Sequence, residues 1–265
     1  MTEIPASART LAEARRAARG LPGFPGGLPA TLKQAYAVQA EASALWGSPI
    51  AGWKIGRITG EAEIRHGKDR FIGPIFAETI ICAEKGITSD FPVIAGGSAA
   101  LEAEVIAVLA EEVAPIHIGR GRDEVRALIG DLYIGIEVAG CPIPDVNDLG
   151  PLASIAAFGN NLALILGPLI AGWRDLDLNA IACRSTIDDA EVGSAVAGKL
   201  PGGILTAVLF ALDQAAELGI ALPAGTLLST GAITGVHPVS AGQTCEADFG
   251  GLGLLRCRTS PATPG

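Results

Sequence analysis

The chain has 265 residues, of which 49% are hydrophobic and 18% charged, and a formal net charge of −9. This composition supports one large domain or two small ones around a substantial core and excludes a disordered chain. The acidic balance argues against a nucleic-acid surface but not against an anionic small molecule, because the charge at a site can oppose the overall sign.

Ser7 to Arg19 reads as a short amphipathic helix closed by Gly20, followed by a Pro/Gly-rich loop over 21–30. Thr31 and Gln34 match a capping box. The helix behind them carries Leu32, Tyr36, Ala40 and Ala44 on one side and runs to about Trp46. Residues 1–50 thus form an N-terminal helical segment ahead of a main domain over 51–260. The four early arginines (Arg9, Arg15, Arg16, Arg19) accompany no apolar h-region, so no secretory signal is expected.

Ile50 to Gly56 is a short apolar strand with Lys54 at its centre, bracketed by Gly52 and Gly56. Spacing alone fits an exposed strand lysine opposite buried Trp53 and Ile55. Residues 57–70 are polar and read as a mobile loop, and Phe71 to Ile81 is apolar apart from Glu78. Gly96-Gly97 marks a turn.

Leu101 to Leu109 has two readings. As a strand it puts Leu101, Ala103, Val105, Ala107 and Leu109 on one face and Glu102, Glu104, Ile106 and Val108 on the other. As a helix it buries Leu101, Val105, Val108 and Leu109 and leaves both glutamates in water. Periodicity does not separate them. Leu132 to Ala139 is an apolar run holding one charge, Glu137. An unpaired buried carboxylate costs several kcal/mol, roughly, so it needs a proton, a base or a cation. Glu137 fits either the partner of a core arginine or, with Glu102 and Glu104, an all-oxygen site for Mg²⁺ or Mn²⁺.

Leu149 to Trp173 holds no charged residue, but Pro151, Gly159, Asn160, Asn161, Gly167 and Pro168 interrupt it. Its apolar pieces fall short of the roughly 20 residues of a membrane span, so it reads as core strand and loop, partly subunit interface. Leu176 to Thr186 reads as a strand with Asp188-Asp189 as a hairpin turn. Pro201-Gly202-Gly203 precedes a helix with Ile204, Val208, Ala211, Ala215 and Leu218 on one face, stopped by Gly219. Thr226 to Arg258 reads as strands and turns. Gly250 to Gly253 is no dinucleotide fingerprint, because no strand–helix unit surrounds it. The five cysteines (Cys82, Cys141, Cys183, Cys245, Cys257) form no C-x-x-C pair and read as reduced thiols of a cytoplasmic protein. His66, His117 and His237 read as surface histidines, with His66 on the loop able to approach a site.

Gly52-Trp53-Lys54-Ile55-Gly56, then Leu101-Glu102-Ala103-Glu104, then Glu137, then Leu227 to Gly231 and Gly242 to Gly253, resemble the 2-keto-4-pentenoate hydratase family. That family includes 4-oxalocrotonate decarboxylases and sits in the fumarylacetoacetate hydrolase-like superfamily. The similarity runs from about Leu32 to Arg258. It implies an α+β fold with a twisted β-roll core and flanking helices, and hence the strand reading of 101–109. It implies Glu102, Glu104 and Glu137 as ligands of Mg²⁺ or Mn²⁺, and Lys54 as catalytic base or electrostatic partner. It implies substrate contacts at Ile55, Asn161 and the Ser229-Thr230-Gly231 turn, and a homo-oligomer built on pentamers or decamers.

Two positions depart from the family pattern: Glu78 and Asn160 stand where relatives carry aspartate. Glu78 is nevertheless the candidate second proton carrier. The expected activity is hydration of 2-hydroxypenta-2,4-dienoate to 4-hydroxy-2-oxopentanoate. The alternatives are decarboxylation of a 2-oxo-dioic acid, for which Arg57 or Arg184 would have to supply a basic pocket, and a non-catalytic 2-oxo acid binder or partner subunit of a decarboxylase. A C–C hydrolase would need a histidine to activate water.

Overall fold

The computed structural model describes residues 4–116 and 119–265, so His117 lies outside the described residues. In chain order the elements are α1 (Ile4–Arg16), α2 (Leu32–Trp46), β1 (Ile50–Arg57), α3 (Glu61–His66), β2 (Arg70–Phe76), β3 (Ile80–Cys82), β4 (Ser89–Val93), β5 (Ser98–Leu109), α4 (Arg122–Leu128), β6 (Ile129–Cys141), α5 (Pro151–Ala156), β7 (Asn161–Leu169), β8 (Ala182–Ile187), β9 (Ala190–Val196), α6 (Gly203–Glu217), β10 (Leu227–Ser229), β11 (His237–Pro238), β12 (Thr244–Asp248) and β13 (Leu254–Pro261). A mixed sheet runs β2-β1-β10-β5-β6-β7-β3, with β11 added along β5. A second sheet runs β4-β13-β12-β8-β9. This is an α+β fold.

Residues 101–109 are strand. Tertiary pairing overrides the helix-favouring composition, because β5 is held by β6 on one edge and by β10 and β11 on the other. One face of β5 (Leu101, Ala103, Val105, Ala107, Leu109) joins the main core, together with Leu132, Ile134, Ile136 and Val138 of β6 and Trp53 and Ile55 of β1. The other face is apolar at one end, where Ile106 and Val108 pack with Ile75, Leu164, Leu227 and Tyr133. At the other end it carries the glutamates.

Thr31 caps α2 by accepting from the Gln34 amide, while the Gln34 side chain accepts from the Ala30 amide. The first helix ends at Arg16 rather than Arg19. Gly20 serves close approach instead of helix termination, since a Cβ there would sit 2.3 Å from the Gly96 carbonyl oxygen. The segment over 57–70 is not all loop. It contains α3, a six-residue helix with no buried residue, too short and too polar to leave a periodic signal. Only the second half of Leu176 to Thr186 is strand. Its first half forms a 3-10 turn, Leu178–Ala180, capped by Asp177, whose side chain accepts from the Asn179 amide. The hairpin at Asp188-Asp189 is present, both residues having positive φ (49° and 64°). Gly219, at φ 70°, follows α6.

The N-terminal helices dock through one buried cation. Arg15 of α1 donates to the carbonyls of Asn161 (2.5 Å) and Leu162 (3.0 Å). Its guanidinium lies 4.8–5.3 Å from the ring centres of Phe158, Trp46 and Phe76. Burial lowers its pKa to about 10, so it stays charged at neutral pH. Truncation leaves two carbonyls without a charged donor. Arg15→Ala is expected to destabilise the protein by about 2–4 kcal/mol in urea unfolding; a loss below about 0.5 kcal/mol would contradict this anchoring.

Candidate active site

Four neighbouring strands bring the charged residues to one face of the large sheet. Glu102 of β5 lies directly opposite Glu137 of β6, and Glu104 lies opposite Gly135. Lys54 of β1 pairs in register with Ser229 of β10. Lys54, Glu104 and Glu137 are 3%, 0% and 0% exposed, and Glu102 is 8% exposed. Ligand oxygens of the three glutamates lie within 4.8 Å of one another.

Each inner carboxylate has one oxygen fixed and one left over. Glu104 Oε2 accepts from the Ser229 hydroxyl (2.5 Å) and the Gly231 amide (2.8 Å), while Oε1 is buried without a partner. Glu137 Oε1 accepts from Lys54 Nζ (3.0 Å) and Asn161 Nδ2 (3.2 Å), while Oε2 is buried without a partner. Asn161 Oδ1 is likewise unpartnered. Buried orphan oxygens are uncommon and ask for a reason. A hard divalent cation would supply it, and the all-oxygen donor set suits an ion of that class. Among the described residues, no other group of three or more His, Cys, Asp or Glu side chains converges in this way.

The electrostatics agree. Burial pushes the Glu102 carboxyl up to about 7, reinforced by Glu137 and opposed by Lys54. Burial, Glu137 and Glu102 push Glu104 well above the usual carboxylate range, against the donors Ser229 and Gly231. For Lys54, burial pulls downward, but Glu137, Glu102 and Glu104 together outweigh it and hold the ammonium above its ordinary value.

The cluster opens onto a cleft of about 590 Å³. Lys54, Ile55, Glu102, Asn160, Thr230 and Gly231 line it, with Arg57 and Arg70. Ile55 contributes to this lining, while its side chain packs in the main core. Of the other residues expected to face the substrate, Thr230 and Gly231 line the cleft, and Ser229 and Asn161 are turned to the glutamates. The Ser229 hydroxyl and the Gly231 amide point at Glu104, and the Thr230 hydroxyl donates to the Val105 carbonyl, so this turn orients a carboxylate. Asn161 holds Glu137, and its neighbour Asn160 faces the cleft. Phe158, Gly159 and Asn160 have consecutive positive φ values of 57°, 66° and 57°. Gly159 is required there, since a Cβ would meet Gly73 Cα at 2.4 Å.

Glu78 is not brought to the cluster. It is exposed, in a single 3-10 turn, and lines a separate recess with Arg15 and Trp46. The three-residue turn between β2 and β3, Ala77–Thr79, turns it away from the glutamate face. His66 lines another recess with Glu61 and Arg65, and His237 contacts Thr234. Among the described residues no histidine lines the cleft. Arg184 is exposed and pairs with Asp248, so it supplies no cleft cation. Arg57 does, together with Arg70, which sequence reasoning passed over. Its signal was only its register opposite Arg57 across β1 and β2.

The model of the fumarylacetoacetate (FAA) hydrolase C-terminal family matches residues 78–260. A 2-keto-4-pentenoate hydratase from Burkholderia vietnamiensis is 28% identical over 260 residues, covering 97% of this chain and 93% of the relative. A second, from Paraburkholderia phymatum, is 27% identical over 232 residues, covering 85% of each. The structure of 4-oxalocrotonate decarboxylase from Pseudomonas putida G7, complexed with calcium and acetate, superposes with a TM-score of 0.80. It is 23% identical and covers 97% of this chain and 96% of that one.

The raised carboxyls set a pH dependence. Unfolded, both carboxyls release their protons near pH 4.5; folded, Glu102 keeps its proton until about 7, and Glu104 is likewise held well above the ordinary carboxylate range. The metal-free protein therefore loses stability as pH rises from about 5 through 7. Lys54, raised in the fold, keeps its contribution throughout that window. A divalent cation replaces the protons, so Mg²⁺ is expected to raise the thermal midpoint more at pH 8 than at pH 6. An equal shift at both pH values, measured against EDTA, would contradict the assignment.

Proposed function

This chain belongs to the fumarylacetoacetate (FAA) hydrolase C-terminal family, and from that premise we propose that it is a metal-dependent hydro-lyase. It adds water to a 2-hydroxy-2,4-dienoate, the simplest being 2-hydroxypenta-2,4-dienoate, to give 4-hydroxy-2-oxopentanoate. The observation that carries the reading is the buried row of Lys54, Glu137, Glu104 and Glu102, with two carboxylate oxygens left unpartnered beside an open cleft. The two hydratase-named relatives, each covering most of this chain, support it.

Glu102, Glu104 and Glu137 would hold Mg²⁺ or Mn²⁺. When bound, the cation supplies Lewis-acid stabilisation of negative charge at the substrate's C2 oxygen. The chain's own residues do the rest. Lys54, kept protonated by its glutamate neighbours, donates a proton to C5 of the dienol and is reprotonated by the proton that leaves the C2 hydroxyl, carried through solvent, which leaves 2-oxopent-3-enoate. Water adds at C4 and a proton enters at C3. Asn160 presents a neutral amide to the cleft where an acid would repel the anionic substrate. Ser229, Gly231 and Asn161 act as positioning groups for Glu104 and Glu137.

The second reading is decarboxylation of a 2-oxo-dioic acid: the C–CO₂ bond breaks, its electron pair is delocalised through the conjugated chain to the C2 oxygen, and a proton there gives the 2-hydroxydienoate. The cleft arginines favour it. The five free cysteines fit the cytoplasm, and no helix among the described residues is long and apolar enough to cross a membrane. A homo-oligomer of pentamers or decamers, with or without a decarboxylase partner, completes the proposal.

Freshly generated 2-hydroxypenta-2,4-dienoate should lose its dienol absorbance with Mg²⁺ and not with EDTA, with 4-hydroxy-2-oxopentanoate as product. Lys54→Met should lower kcat about 10²–10⁴-fold. Absence of turnover with metal bound would overturn the hydratase reading, and release of CO₂ from a 2-oxo-dioic acid would replace it with the second.

A further inference from the structure

The cleft has a second charged end. Arg57 and Arg70 line it and face each other across β1 and β2. Both guanidiniums engage one carboxylate, Asp69. Arg70 is 6% exposed and also donates to the Pro201 carbonyl. Burial lowers its pKa, Asp69 opposes the shift, Arg57 adds to it, and Glu63 of α3 weakly opposes. The two cations therefore sit close enough to repel, with a single hydrogen-bonded anion between them. The Arg57 side chain is one-third exposed, and its bond to Asp69 uses only Nη1 of the fork. An arginine fork with unspent donors matches a carboxylate in geometry and charge.

The spacing suits a ligand that spans the cleft. Arg57, the last residue of β1, lies three residues from Lys54, about 10 Å between backbone positions, and although an odd step alternates the faces of a strand, the cleft is lined by both residues. A cleft of about 590 Å³ also exceeds the needs of a five-carbon acid.

We propose that Arg57 and Arg70 bind a second carboxylate at the substrate end remote from the glutamate cluster, so that the site takes dicarboxylic 2-oxo or 2-hydroxydienoic acids in preference to monocarboxylic ones. This rests on the reading of the glutamate cluster and Lys54 as the 2-oxo acid end of the site. It extends that reading to the substrate's tail and holds whether water is added or CO₂ lost.

The test compares 2-oxoadipate with 2-oxohexanoate, acids that differ in whether the far end carries a carboxylate. Each is titrated calorimetrically into the full chain loaded with Mg²⁺, and oxalate probes the glutamate cluster alone. 2-Oxoadipate should bind about 10- to 100-fold more tightly than 2-oxohexanoate. Arg57→Gln, at a partly exposed position, should bring the ratio towards one, and its thermal midpoint reports on folding. Arg70→Lys keeps the charge and loses the fork, and should lower the ratio as well. Equal affinities in the unmodified protein, or an undiminished ratio in Arg57→Gln, would overturn the proposal and leave the arginines as a staple closing β1 on β2. If oxalate itself fails to bind, the reading of the glutamate cluster fails first, and the assignment of the arginines falls with it.

Discussion

Two glutamates directly opposite each other on neighbouring strands, with a third one pleat along, are a costly arrangement for a buried sheet face. Like charges across an antiparallel pair repel, and burial removes the water that would screen them. Three carboxylates against one ammonium leave two formal negative charges, which a single divalent cation cancels. Without it, protons do the work, and that is why Glu102 and Glu104 hold theirs to unusually high pH. Much of the surrounding structure is arranged about this constraint. Ser229, Gly231, Asn161 and Lys54 each fix one oxygen of an inner carboxylate and leave the other turned inward.

The sheet makes this arrangement tolerable by division of labour. The opposite face of β5 and β6 is wholly apolar and belongs to the main core, and the same face turns apolar again at Ile106 and Val108. The charged patch is thus a short interruption in a packed layer. Its flank is held from outside the sheet: Arg15, on the first helix, grips the carbonyls of Asn161 and Leu162 and so ties the N-terminal helices to the strand that positions Glu137's partner.

How much of this was legible depends on the range of the interaction. The alternation of β5 was plain, but its helix-like composition made two readings equal until pairing with β6 and β10 decided between them. The lysine and three glutamates were recognisable from order and separation, and the structure gathers them. Glu78 was drawn to the site by its place in the family pattern; the turn Ala77–Thr79, which no local pattern orients, sends it elsewhere. In the Ser229-Thr230-Gly231 turn, the Ser229 hydroxyl and the Gly231 amide face Glu104, a direction that no local pattern encodes. Arg70 was invisible because its meaning comes from register with Arg57. The helix α3 was invisible because one polar turn and a half has no stripe to read.

The most direct test of the central claim is the stoichiometry of Mn²⁺ bound to the purified full chain, followed by electron paramagnetic resonance during titration. One tightly bound Mn²⁺ per chain, lost in Glu104→Ala and in Glu137→Ala while folding is retained, is the expected result. Binding that survives either substitution, or that is absent from the unmodified protein, would contradict the account.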